Sequence, residues 1–489
     1  MPMPAPTSEA SELMATETRS PEPPAELDRM LSENQAGLPG RMQSPINVVI
    51  VGAGSHFTPK LAADILAIPG SAGGQLRLCD IDENRLETMA AVVETLVAKT
   101  SNTERWSVAA STDRNDLLPG ADWVVITIEV SGLETIGFDN DIPERYGVDQ
   151  CIGDTIGPGG LFKCFRTLPA FIQILADCER SCPEAIVLNY TNPMGMLCLA
   201  AALKSSMRVV GLCHSVQSTS RLLAGRAGVD YEEMDWECAG INHLAWFTRL
   251  EHRGRDLYPQ LRERARADLA AAEPGDESQD LVRKDMMLHF GAFITESSGH
   301  LSEYLPWYRK RAETRARFMR SGYHGQSGFL LSMWPERRRA DEAERRAMAR
   351  GEADLSTSRT YEYASWIIEA VGKNAPFVFH GNIPNNWGGA GPLITNLPAD
   401  GIVELACVAD GRGVTPTAVG ALPPQMAAVC RSNMSVVELG ALAGLGRDRQ
   451  LARQALMLDP LTAAVCTLDE IESMADELFS AEADYLPGW

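Results

Sequence analysis

The first ordered pattern along the chain is a β-branched run, Ile46–Val51 (INVVIV), whose near-continuous apolar character reads as a strand buried on both faces. Gly52-Ala53-Gly54-Ser55 follows at once, and then apolar positions at helical spacing over Thr58–Leu66. Short apolar runs recur at Leu76–Leu78, Trp123–Ile128, Ile186–Leu188 and Val209–Leu212, separated by helical stretches such as Glu83–Lys99. Strands alternating with helices predict βαβ units and a parallel sheet, hence an α/β fold. From about residue 250 helical periodicity dominates, and a β-like patch at Phe377–Thr395, rich in Asn, Gly and Pro, reads as irregular structure at a pocket edge.

Two segments depart from this texture. Residues 1–44 are rich in Pro, Ser, Glu and Ala without an aromatic, and such a stretch is expected to stay disordered, with at most a short helix at Glu26–Glu33. The charged segment Arg309–Arg350 is expected to form a solvated helix face. Of the 489 residues, 44 are Lys or Arg and 65 Asp or Glu, a net charge of −21 that disfavours nucleic acid and anionic membranes as partners. No run approaches the roughly 18 apolar residues of a membrane span. Eleven scattered cysteines without a secretory leader suggest a reducing, cytoplasmic setting, with at least one thiol free for chemistry.

Candidate chemistry collects at predicted strand ends, where open parallel sheets bind ligands. Gly52 and Gly54 with Ser55, with Phe57 where the dinucleotide fingerprint has its third glycine, and Asp80 closing the next strand, form a candidate dinucleotide site. A carboxylate there suits a ribose diol and favours NAD over NADP; a tight ligand-free turn is the alternative. Cys213-His214 follows another strand, and Gly240-Ile-Asn242-His243 lies further on. Cysteine and histidine far apart in sequence can form an open divalent-metal site, a nucleophile with its base, or plain core. Asn189-Tyr-Thr-Asn192-Pro193 is either a substrate-orienting amide or a proline turn, and the glycine-rich loop 153–160 places Asp154 in an active-site wall.

These pieces, in this order, resemble glycoside hydrolase family 4, the NAD- and divalent-metal-dependent glycosidases. The resemblance is carried by GAGSHFTPKL at 52–61, YGVDQCIGDTIGPGGLFKCFRTLP at 146–169, NYTNPMGM at 189–196, GLCHSVQ at 211–217 and AGINHLAW at 239–246. FITESSGHLSEYLPW at 293–307, IPNN at 383–386, ITNLP at 394–398 and LDPLTAAVCTLDEI at 458–471 extend it over residues 45–489. Cys213-His214-Ser215-Val216 is similar to the α-galactosidase group of that family, with Ser218 a departure from the glycine usual after CHSVQ.

The resemblance implies a Rossmann-like domain of the lactate/malate dehydrogenase kind over 45–205 and a mainly helical α+β domain for substrate, metal and oligomer contacts over 206–489. It implies hydrolysis of α-galactosides by oxidation at C3, proton removal at C2, elimination and water addition, with NAD and Mn²⁺ or another divalent ion. Cys213 and His243 become metal ligands; Asn192, Asn242 and Asp154 substrate residues; His214 the leaving-group acid, with Asp154 also catalytic. Glu296 and Tyr304 are candidates for the C2 base. A homodimer or homotetramer is implied. Rival readings are α-glucosides or α-uronides as substrate, a net NAD-linked dehydrogenase, and a non-catalytic sugar or nucleotide sensor.

Overall fold

The computed structural model describes residues 36–100 and 104–489. Six parallel strands open the chain's sheet: β1 (Ile46–Val51), β2 (Gly74–Cys79), β3 (Trp106–Ser111), β4 (Trp123–Ile126), β5 (Ile186–Asn189) and β6 (Arg208–Gly211). Their spatial order is 3-2-1-4-5-6, the doubly wound arrangement, with its topological switch between β1 and β4. The connecting helices include α1 (Thr58–Leu66), α2 (Glu83–Lys99), α3 (Gly157–Ser181), α4 (Met194–Lys204) and α5 (Ser215–Ala227). The continuous apolar runs are buried as expected, because strands covered on both faces need no polar alternation.

The sheet then continues without a break into antiparallel strands. β7 (Met234–Ile241) and β8 (Leu244–His252) form a hairpin, extended by the short β9 (Arg255–Asp256) and β10 (Phe293–Ile294). Next come α6 (Phe329–Ala349), α7 (Tyr363–Lys373), β11 (Phe377–Pro384), β12 (Ile402–Asp410), β13 (Gly413–Pro416) and α8 (Pro424–Gly446). β11 and β12 lie between β6 and β7, and each seam is a single pair: Asn382 with Gly211, and Glu404 with Gly240. Asn382 Nδ2 donates to Glu404 Oε1 at 3.2 Å, so two fully buried polar side chains stitch the two halves together.

Three expectations are corrected. Phe377–Pro384 is a regular strand with β12 at its side, and only the segment after it is irregular; burial of β12 around Glu404 hid the pairing from a polarity pattern. The expected disordered head falls largely outside the described residues, including its short helix, but residues 36–44, mostly exposed, are tied down at two points: Leu38 N–H donates to Glu369 Oε1 at 2.8 Å and Met42 is buried. The charged segment is not wholly a solvated face, since Arg309 is fully buried on Asp149. No described helix is long and apolar enough to cross a membrane.

Candidate active site

Strand ends and one hairpin turn build the cluster. β6 delivers Cys213 two residues past its seam residue Gly211, and β7 delivers Asn242 and His243 as the two-residue turn into β8. His243 takes φ of +61°, a left-handed backbone that the tight hairpin requires and that a bulky residue adopts at a cost. The third contributor is the segment after β10, which brings Glu296, His300, Glu303 and Tyr304 beneath the turn.

The ligating atoms of Cys213, His243 and Glu296 all lie within 4.8 Å of one another. His243 Nε2 faces Glu296 Oε2 at 3.4 Å, while its Nδ1 lies 3.2 Å from the Tyr304 hydroxyl. Cys213 Sγ has Ser215 Oγ at 3.3 Å. Burial alone would raise the Cys213 thiol, but the charge and hydrogen bond of His243 outweigh it and hold the thiol below its ordinary value. In return, although burial disfavours its charge, His243 is pushed up to about 10 by the Cys213 thiolate and Glu296. Partial burial would raise Glu296, yet His243 and then His300 keep it below the usual carboxylate range.

Asp154 approaches from the opposite wall, on the loop before α3. Lys163 Nζ stands 3.5 Å from its carboxylate and 3.0 Å from Glu129, Asn192 Nδ2 is at 3.4 Å, and Thr155 Oγ1 donates at 2.5 Å. Burial would raise Asp154, but Lys163 and then His300, 3.8 Å away, hold it far below the usual range. The loop itself is fixed by Glu303, which accepts from the amides of Cys151, Ile152 and Gly153 at 2.7, 2.6 and 3.0 Å.

The donor set fits a divalent cation. It offers thiolate, imidazole and carboxylate, a borderline mixture suited to first-row metals, and leaves positions open. Both amide atoms of Asn242 are buried without a hydrogen-bond partner, and His300 Nε2 has carboxylates only at 3.8 and 3.9 Å, as groups awaiting a ligand would be. A pocket between α4 and α8 reaches Thr155, Asn242 and Tyr304 from behind.

A second locus lies at the end of β1. Gly52 has φ of +89°, and a Cβ there would fall 2.6 Å from the Thr127 carbonyl oxygen, so only glycine fits the turn. Gly54 N–H donates to Asp80 Oδ2 at 2.7 Å, Phe57 N–H to Ser55 Oγ at 3.2 Å, and Asp82 N–H to Asp80 Oδ1 at 3.0 Å. Asp80 retains acceptor capacity for a diol, and next to it Ile81 is 93% exposed, a bare apolar surface that suits a flat base. Phe57 packs edge-on against Tyr190 and His214.

The structure thus brings Cys213, His243, Glu296 and Tyr304 together, with Asp154, Asn192 and Asn242 around them. His214 turns toward the dinucleotide turn, its Nε2 2.7 Å from the buried Glu362, which Lys60 also meets at 2.7 Å. Lys163, His300, Glu303 and Glu362 were missed by the sequence reading. The first three lie inside quoted motifs, Lys163 one turn beyond the glycine-rich loop and His300 with Glu303 three apart; Glu362 carried no local signal.

Comparisons with known proteins follow the same lines. The profile "Family 4 glycosyl hydrolase" matches residues 47–229, and "Family 4 glycosyl hydrolase C-terminal domain" matches 238–462. An α-galactosidase of Bacillus subtilis is 36% identical over 448 residues, 90% of this chain and 99% of its own length. One of Rhizobium meliloti is 37% identical over 449 residues, covering 90% and 89%. Among solved structures, a 6-phospho-α-glucosidase from gut microorganisms in complex with NAD and Mn²⁺ superposes with a TM-score of 0.72 at 22% identity, covering 91% and 99%.

Proposed function

The chain belongs to glycosyl hydrolase family 4, and from that premise we propose that it is an α-galactosidase that works with NAD and a divalent metal ion such as Mn²⁺. The observation that carries the reading is the partly buried Cys213–His243–Glu296 donor set, with Asp154 reached through His300 beside it. When bound, NAD supplies a reversible hydride acceptor for C3 of the sugar and the cation a Lewis acid for its O2 and O3 oxygens.

The chain's own residues then divide the work. Gly52, Gly54, Ser55, Phe57 and Asp80 cradle the dinucleotide, and Cys213 and His243, joined by Glu296, hold the cation. Ionised Asp154 accepts from a sugar hydroxyl, with Lys163 neutralising it and Asn192 and Asn242 fixing the ring. Because Glu296 is drawn into the donor set, Tyr304 is the group left to take the C2 proton, with His243 Nδ1 against its oxygen. It would do so as its phenolate, a form that burial and then the charges of Asp154 and Glu296 disfavour in the metal-free site. His214, held by Glu362, is the proposed acid for the departing oxygen, with Asp154 a second catalytic group beside the sugar. Residues 45–205 form the dinucleotide half and 206–489 the sugar and metal half of a cytoplasmic homodimer or homotetramer.

The test is a panel of p-nitrophenyl α-glycosides with NAD, Mn²⁺ and a thiol reductant. Preference for the galactoside without net absorbance gain at 340 nm is expected; preference for a glucoside or uronide overturns the substrate, and accumulating NADH overturns hydrolysis.

A further inference from the structure

From Gly52 to Thr58, every amide of the glycine turn except that of His56 already donates within the protein. The amides of Gly52 and Ala53 donate to the Cys79 carbonyl at 2.9 Å each, those of Ser55 and Thr58 to Gly52 and Ser55 carbonyls at 3.0 and 3.1 Å, and Gly54 and Phe57 are engaged as described above. In a chain of net charge −21, an anionic dinucleotide needs a local positive field from elsewhere.

Helix α6 supplies one. Trp334, Arg338, Asp341, Arg345 and Met348 recur at spacings of four and three, and all five are buried or half-buried, so the inward stripe of this helix is basic. Two contacts place that stripe over the dinucleotide locus. Asp341 Oδ2 lies 3.7 Å from His56 Nδ1, two residues past Gly54, and one Arg338 guanidinium nitrogen lies 3.3 Å from where a Cβ on Gly132 would sit, in the loop leaving β4. The helix therefore crosses both sides of the β1–β4 switch point.

Asp341 is already paired with Arg337 at 2.8 Å. Arg338 and Arg345, in contrast, form no ion pair among the described residues; Arg338 lies over the Trp334 ring, and the nearby Glu129 is held by Lys163. Burial makes both guanidiniums less favourable than in water; Glu129 opposes it at Arg338 and Asp341 at Arg345, Arg85 adds to it, and the balance stays on the unfavourable side. Half-buried arginines whose nearest carboxylates stand beyond contact and already hold other cations are expensive unless an anion completes them.

We propose that Arg338 and Arg345 bind the diphosphate of the dinucleotide, so that α6 closes over the cofactor as a basic clamp. The proposal rests on the NAD reading above. Guanidinium forks match phosphate oxygens, and two such contacts separate this role from general charge attraction.

Calorimetric titration of the full chain with NAD, NADP, ADP and adenosine tests it, on the wild type, Arg338→Gln/Arg345→Gln and the exposed neighbour Arg339→Gln. The double variant should bind NAD and ADP about 10–100-fold more weakly, with a flatter salt dependence, while adenosine binding stays within about twofold. Its thermal midpoint without ligand should hold or rise, since two unpaired like charges are removed, and Arg339→Gln should match the wild type throughout. Unchanged NAD and ADP affinity overturns the clamp. Loss confined to NADP overturns the diphosphate assignment in favour of a 2′-phosphate, and loss of adenosine binding with a lowered midpoint overturns a ligand role in favour of a structural one. A wild type that binds none of the four overturns the dinucleotide reading and the clamp with it; a wild type that binds NAD as tightly as its double variant overturns the clamp alone.

Discussion

The His243 ring is held from both ends: Nδ1 lies 3.2 Å from the Tyr304 hydroxyl while Nε2 points at Glu296 Oε2, 3.4 Å away. The ring therefore has one nitrogen for a cation and one for an orienting partner. Tyr304→Phe deletes the partner and the proposed proton acceptor together, leaving a cavity no larger than a hydroxyl. Turnover should fall at least about 100-fold and metal affinity only about tenfold, with KM little changed. Solvent-deuterium exchange at C2 of the sugar should be lost in parallel; a Phe variant that still exchanges that proton removes Tyr304 from the step.

Metal binding should release a proton. His243 sits at about 10 beside a thiolate. Between about pH 7 and 9 the metal-free site therefore carries imidazolium, and a cation must displace its proton to reach the nitrogen. Mn²⁺ affinity should rise with pH by about tenfold per unit over that range, and levels off only above the folded pKa. Titrations in buffers of different ionisation enthalpy should report close to one proton released per ion. Cys213→Ser should abolish the thiolate, lower the His243 pKa toward its ordinary value and remove most of that release along with activity.

Glu303 is 2% exposed and accepts three successive backbone amides, which fixes the loop that presents Asp154. It touches no proposed reacting atom and acts by position. Glu303→Gln puts an NH₂ group against an amide N–H, costing about 1–3 kcal/mol of stability. As Asp154 loosens, KM for the galactoside should rise more than kcat falls, while NAD affinity stays put because the dinucleotide locus is elsewhere. Equal loss of NAD and sugar binding would instead mark a global defect.

Much of this was legible in the chain because the parallel half follows simple rules. Buried strands such as Ile46–Val51 are continuous apolar runs, the glycine turn follows at once, and Cys213 falls at a strand end where ligands collect. The antiparallel half was harder. β12 carries Glu404 at its centre, a polar residue that only its Asn382 contact makes acceptable, so its pattern reads as neither strand nor helix. Site residues were found where a motif position pointed to them by itself; Lys163, His300 and Glu303 lie inside motifs yet were missed, because their role depends on a distant partner. Glu362 is adjacent to His214 only in space, and the inward basic stripe of α6 looked like any solvated charge run until His56 and Gly132 were seen beneath it.

Behind the Asp154 loop, fully buried Asp459 caps the helix Pro460–Val465, accepting from Thr462 N–H at 2.8 Å and Thr462 Oγ1 at 2.7 Å, with its other oxygen unpartnered. Burial raises it from 3.8 to about 6, only partly opposed by the Thr462 bonds. In that window the folded protein keeps a proton that the unfolded chain has released, so this residue's contribution makes stability fall as pH rises from about 4 to 6 and level off above. The whole effect is about 3 kcal/mol. Asp459→Asn keeps the cap acceptor and removes the titration. The wild type should be the relatively more stable of the two near pH 4 and lose that advantage by pH 7, read as the difference between their urea midpoints across the series. A difference that does not change with pH would show that Asp459 remains ionised throughout.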